Sequence, residues 1–192
     1  LSLRWLRDLL RTAAPALEYS DLEALAAHAP AGSEGLLFCP YLLGERTPHL
    51  DPDATGAFVG LTLRHGLGHI VRAIMEGVAF SLRDGLEVFR ELKVQPQRAI
   101  ASGGGGRSPL WRQILADVLG LELALAEGEE QAAVGAAMLA GIGTGIYTNA
   151  EEACARVVRL SDAVEPSQNA RAYAERYQQF RKCYPALRGL RQ

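Results

Sequence analysis

Apolar positions along this chain alternate between a helical and an extended period, and the changes of period mark out its elements. Leu3, Leu6, Leu9 and Leu10 make the stripe of a first helix, and Asp21 to Ala29 predicts a second, capped by Ser20 and stopped by Pro30. Gly32 and Gly35 mark a loop, Leu36-Leu37-Phe38-Cys39 a short buried strand, and Pro40 to Pro52 a polar, turn-rich excursion. Ala57 to Leu61 predicts another strand. The longest helix is expected from His69 to Leu92, where Ile70, Ile74, Val78, Leu82, Leu86 and Phe89 recur at helical spacing. On the same helix Ala73, Gly77, Ser81 and Gly85 place a small residue at every fourth position. Each helix-interior Gly costs about 1 kcal/mol relative to Ala, so this row predicts a seam approached by another backbone.

Beyond Gln95-Pro96-Gln97, Ala99-Ile100-Ala101 predicts a brief strand that runs into Ser102-Gly103-Gly104-Gly105-Gly106. A helix follows at once: Ser108 can cap it, Pro109 suits its first turn, Trp111, Ile114, Leu115 and Val118 form its buried face, and Gly120 ends it. Leu121 to Ala126 alternates as a strand does, a small-residue helix is expected from about Gln131 to Gly141, and Tyr173, Tyr177, Phe180 and Tyr184 stripe a final helix as core packing. Strands alternating with helices imply an α/β fold with a partly parallel sheet, and 192 residues suit one domain, here taken as 1–192.

Composition narrows the classes. Hydrophobic residues at 48% and charged residues at 22% support a packed core and exclude disorder. A net charge of -2 without a block of like charge argues against nucleic-acid binding. Three cysteines, Cys39, Cys154 and Cys183, lack CxxC spacing, which points away from a disulfide framework or zinc ribbon and toward a reducing cytoplasm. No apolar run spans a bilayer and no signal peptide is present, so no membrane is expected. The chain opens within a helical pattern and without Met, which is the expectation for a fragment.

The strongest chemical signal is the glycine run between a strand and a capped helix. Glycines admit a close approach that side chains would block, and the helix start at Ser108 offers backbone N–H groups and a positive dipole end to a nucleotide phosphate or ribose. A tight turn that merely lets strand and helix pack is the alternative. A dinucleotide site also competes, since Gly103 and Gly105 begin a GxGxxG with Glu127 downstream, but Ser108 stands where the third Gly belongs. No Lys follows the glycines, so the Walker pattern is absent. His65 and His69 are spaced like two ligands on a helix, but no third ligand is near and a structural or surface role is expected, with no metal site assigned. Glu45, Arg46 and His49 crowd one loop, either to orient a substrate or as salt-bridged turn residues.

Gly56 to Leu61, then seven residues, then His69 to Glu76 resembles the second signature of the FGGY carbohydrate kinases. Pro40 to His49, Gly103 to Gln113 and Gly135-Ala136-Ala137 resemble, in the same order, segments of the branch of that family that acts on xylulose. The resemblance implies an actin-like, ribonuclease-H-like fold in the second domain of a two-domain sugar kinase, incomplete at its N-terminal edge, with the sugar-binding N-terminal domain absent. It implies ATP and Mg²⁺ as cofactors and phosphorylation of D-xylulose to the 5-phosphate, with gluconate, ribulose or glycerol as alternative substrates and a non-catalytic nucleotide-binding module as the alternative role. It assigns Gly103, Gly104, Gly105 and Ser108 to the nucleotide, Ser108 standing where some relatives carry Asn, and places Arg4 at the adenine pocket. It assigns no catalytic residue to this chain, because the family's catalytic Asp lies in a Gly-Asp segment upstream, and it allows a homodimer.

Overall fold

The structure, a computed structural model, describes residues 1–128, 131–161 and 163–190. Its first helices are α1 (Ser2–Leu10) and α2 (Tyr19–His28). Ser20 lies inside the first turn of α2; the cap is Glu18, whose extended backbone donates its N–H to the Asp21 carboxylate at 2.8 Å. Strand β1 (Leu37–Cys39) pairs antiparallel with β2 (Ala57–Val59), Phe38 opposite Phe58, and all of β1 is buried.

Helix α3 (Leu67–Glu91) forms the spine, packing against α1, α2 and β1. It begins two residues before His69, whose Nδ1 accepts the N–H of the extended Gly66. Its N-terminal half is enclosed on every side, with Val71 to Gly77 buried without interruption, whereas Leu82 and Phe89 are 52% and 54% exposed. Beyond Val78 the predicted stripe is therefore only partly covered, with Leu86 buried between the exposed Leu82 and Phe89, because periodicity orders side chains on a helix without saying where its neighbours lie. The small-residue row behaves likewise. A Cβ on Gly77 would lie 2.1 Å from the Phe38 carbonyl oxygen in β1, whereas one on Gly85 would meet nothing within 4 Å, so the seam is real at Ala73 and Gly77 and ends before Gly85.

A second sheet pairs β3 (Arg98–Ala101) in parallel with β4 (Glu122–Leu125) through α4 (Pro109–Leu119), and the segment after α6 runs antiparallel along β4 through Leu123–Val164 and Leu125–Ser161 backbone bonds. The last helices are α5 (Gln131–Gly143), α6 (Ala150–Val157) and α7 (Ala170–Gly189). The sequence reading leaves α6 out, although Asn149 caps it by accepting from Glu152 N–H at 2.9 Å, a spacing of the same kind as the other start signals. None of the described helices is long and apolar enough to cross a membrane.

The aromatic stripe of α7 is core, as expected: Tyr173, Tyr177, Phe180 and Tyr184 are all buried, and the first three surround Phe80 of α3. Their hydroxyls reach buried or half-buried carboxylates, Tyr177 to Asp84 at 2.6 Å and Tyr184 to Asp51 at 2.9 Å. The Tyr173 hydroxyl joins an ion pair in the interior. Arg72 Nε donates to Glu76 Oε1 at 2.8 Å and Arg72 Nη1 to the carbonyls of Ala26 and Ala29, while Glu76 also accepts from Tyr173, the Gly32 N–H and Ser33. Burial pushes the Glu76 carboxyl up from the ordinary glutamate range, and the donors from Tyr173, Gly32 and Arg72 pull against that. This network ties the end of α2 and the turn after it to α3 and α7.

Candidate functional site

Strand β3 and the residue after β4 stay paired to the strand end, Ala126 N–H donating to Ala101 O at 2.9 Å, and the next N–H, of Glu127, donates to Arg159 O instead. Such carboxyl ends of parallel strands are where α/β sheets open a crevice. Gly103 turns the chain with φ +77, a 3-10 turn spans Gly104–Arg107, and Ser108 caps α4 by accepting from the Trp111 N–H at 3.0 Å, with Pro109 in the first turn and Gly120 in the left-handed position at its end.

The glycines have different reasons to be glycine. A Cβ on Gly106 would lie 2.5 Å from Leu125 Cδ1, so this residue serves strand–helix packing, and one on Gly105 would make ordinary contact with the Trp111 ring at 3.7 Å. Gly104 needs neither room nor a left-handed backbone, since its Cβ would meet nothing within 4 Å. It faces an open cleft of about 400 Å³ lined by Gly103, Gly104, Arg107, Leu125, Ala126, Glu127 and Gly128. The chain itself therefore does not demand the missing side chain at Gly104.

Of the residues read from the sequence, Gly103 and Gly104 line this cleft, and Glu127 joins them. Gly105 sits against Trp111, and Ser108 turns the other way, its hydroxyl donating to Glu23 of α2 at 2.6 Å. Arg4 is exposed on α1 and is not among the residues lining the cleft. Sequence reasoning missed Arg107, and also Leu125, Ala126 and Gly128, although the end of a strand after a crossover helix is a legible signal. It also missed Glu23, which lies 85 positions from Ser108 and looks like any other polar residue on a helix face.

The other candidates lie outside this cleft. His65 and His69 each accept a backbone N–H at Nδ1, from Thr62 at 2.9 Å and Gly66 at 3.2 Å, and fasten the turn into α3. Among the described residues no group of three or more His, Cys, Asp or Glu could hold a metal ion. His49 stacks on Tyr184 with ring centroids 3.7 Å apart, Glu45 accepts the Thr47 N–H at 2.8 Å, and Arg46 is exposed. Burial raises the Glu45 carboxyl above its ordinary range.

Residues 2–144 match the family described as the FGGY family of carbohydrate kinases, C-terminal domain. The chain is 36% identical over 190 residues to the xylulose kinase of Bacillus subtilis (strain 168), an alignment that takes in 98% of this chain and 38% of that protein. It is 38% identical over 153 residues to the gluconokinase of the same organism, with 74% of this chain and 29% of that protein covered. The crystal structure of xylulose kinase from Rhodospirillum rubrum superimposes with a TM-score of 0.85 at 38% identity, covering 98% of this chain and 38% of that one. This chain thus spans less than two-fifths of the length of the relatives it matches.

Proposed function

Because this chain belongs to the FGGY family of carbohydrate kinases and carries the fold of its C-terminal domain, we propose that it binds the adenine nucleotide of an ATP-dependent sugar kinase at the glycine loop. The observation that carries this reading is Gly104, a glycine that the chain itself does not require, facing a cleft at the ends of two parallel strands. A close-approaching ligand accounts for it. Gly103 and Gly104 form the wall that the nucleotide meets, Gly105 and Ser108 hold that wall in shape, and Arg4 is assigned to the adenine side through the family resemblance. Mg²⁺ would come with the nucleotide phosphates, and no residue of this chain is assigned to it.

The reaction is transfer of the γ-phosphoryl group to a sugar hydroxyl, in which the protein contributes mainly positioning and electrostatic stabilisation. D-xylulose is the proposed acceptor, since the relatives aligned along nearly the whole chain are xylulose kinases. Gluconate is the second reading, favoured by the identity to gluconokinase. The sugar contacts and the base are assigned to the parts of such kinases that this chain does not match.

Gly104→Asp should leave the fold intact, because its first side-chain atom has open space, and should lower ADP affinity at least about tenfold by setting bulk and charge where the nucleotide lies. Calorimetric titration checks this, and undiminished ADP affinity in a variant that melts with the parent rejects the site. A second expectation concerns turnover. This chain with ATP, Mg²⁺ and D-xylulose should release no sugar-dependent ADP, since one wall of a cleft cannot align acceptor and phosphate, a contribution worth about 7–11 kcal/mol. A coupled ADP-release assay decides it, and sugar-dependent turnover would overturn the division of labour.

A further inference from the structure

The N-terminus of α4 is already occupied by an anion, and that anion comes from the chain itself. Pro109 has no N–H to offer at the first position of the helix. The Leu110 N–H points to Glu23 Oε1 at 3.3 Å, the Trp111 N–H donates to Ser108 Oγ at 3.0 Å, and the Arg112 N–H donates to Ser108 O at 3.0 Å. The donors that a helix start holds out to a phosphate are therefore accounted for within the protein. The Ser108 hydroxyl gives its own proton to Glu23 Oε1 at 2.6 Å, which completes a carboxylate cap bridged through serine. A full negative charge on the positive end of α4 is favourable, and it repels a second anion at the same place.

We propose that Glu23 is a positioning residue of the nucleotide site: its carboxylate closes the N-terminus of α4 to phosphate and fixes the glycine loop so that the nucleotide is received on the Gly103–Gly104 side. This rests on the nucleotide reading above. The loop follows Ser108 because the Ser108 N–H donates to Gly105 O and the Gly106 N–H to Gly103 O, so whatever holds Ser108 holds the turn that presents Gly104. Glu23 itself is carried by a firm element. Its neighbours Leu22 and Ala26 are fully buried, and α2 packs along α3. A surface glycine turn is thereby tied to the core by one half-buried side chain from another helix.

The test uses this chain as parent, Glu23→Ala and Glu23→Gln, reading amide hydrogen exchange at Leu110 and Trp111 together with ADP affinity by calorimetry. In Glu23→Ala, exchange at both amides should rise about tenfold and ADP affinity fall about tenfold, because a charge-assisted cap and its ordering of the loop are lost together. Inorganic sulfate should slow exchange at the same amides only in Glu23→Ala and leave it unchanged in the parent. Glu23→Gln keeps an acceptor oxygen and should stay within about threefold of the parent in ADP affinity. Unchanged exchange at Leu110 and Trp111 in Glu23→Ala overturns the proposal, and so does raised exchange with unchanged ADP affinity, since Glu23 would then be a cap alone. A parent that binds no ADP counts against the nucleotide site, whereas the exchange and sulfate readings judge the closure by Glu23 separately.

Discussion

Gly77→Ala should cost this chain about 3 kcal/mol or more, the upper end of what overpacking a core does. The added methyl would sit 2.1 Å from Phe38 O, 3.0 Å from Phe38 C and 3.2 Å from Phe38 Cβ, and the nearest of these atoms belong to backbone. That backbone cannot step aside cheaply. Phe38 is the middle residue of β1, held opposite Phe58 in the antiparallel ladder, and its ring lies against the Phe58 ring with centroids 4.7 Å apart. Typical domains have only about 5–15 kcal/mol in total, so the substitution removes a large share of the margin. For a chain of this size it should lower the melting temperature by about 6–12 °C, at roughly 2–4 °C per kcal/mol. Gly85→Ala, on the same helix with open space around it, is the matched control and should gain up to about 1 kcal/mol from helix propensity. Thermal melts of both variants beside the parent make the comparison, and a Gly77→Ala protein that melts with the parent would show that β1 and α3 do not meet as described.

Glu76→Ala should be as damaging, at about 3–5 kcal/mol, for an electrostatic reason. Arg72 and Glu76 are 7% and 2% exposed, so truncating the carboxylate leaves a guanidinium in the interior with its charge unanswered. The Gly32 N–H and the Tyr173 hydroxyl lose their acceptor at the same time, and an unsatisfied buried donor costs about 1–3 kcal/mol by itself. Glu76→Gln keeps an oxygen for the Gly32 N–H and should fall between parent and Glu76→Ala. Denaturant unfolding of the three proteins measures the order. If Glu76→Ala unfolds at the parent's denaturant midpoint, the network contributes nothing and the turn after α2 is held by apolar contacts alone.

Both predictions concern contacts across α3, and their legibility in the sequence differs. The Ala73–Gly77–Ser81–Gly85 row announces a close approach, because small residues at helical spacing carry a propensity cost that only packing offsets. It does not say that β1 provides the approach at Gly77 or that Gly85 faces open space. Nothing in the spacing of Arg72 and Glu76 distinguishes them from an ordinary (i, i+4) surface pair. Only the arrival of Tyr173 from α7, about a hundred positions later, and of the Ala26 and Ala29 carbonyls from the end of α2 makes them interior.

The glycine loop divides along the same line. Its local conformation is determined by the sequence alone: an apolar strand, glycines, Ser108 as cap, Pro109 in the first turn and Gly120 at the helix end are interactions among near neighbours, where residue type limits the backbone choices. The α7 stripe and the α/β alternation belong to this class as well, because burial periodicity is a property of a single element. The tertiary structure alone decides what each local piece faces. It turns Ser108 toward Glu23, brings Leu125 to Gly128 into one cleft with Gly104, and leaves Leu82 and Phe89 exposed while Leu86 between them is buried. Those outcomes depend on contacts between residues far apart in the chain, and neither residue of such a pair carries a mark of its partner in the local pattern.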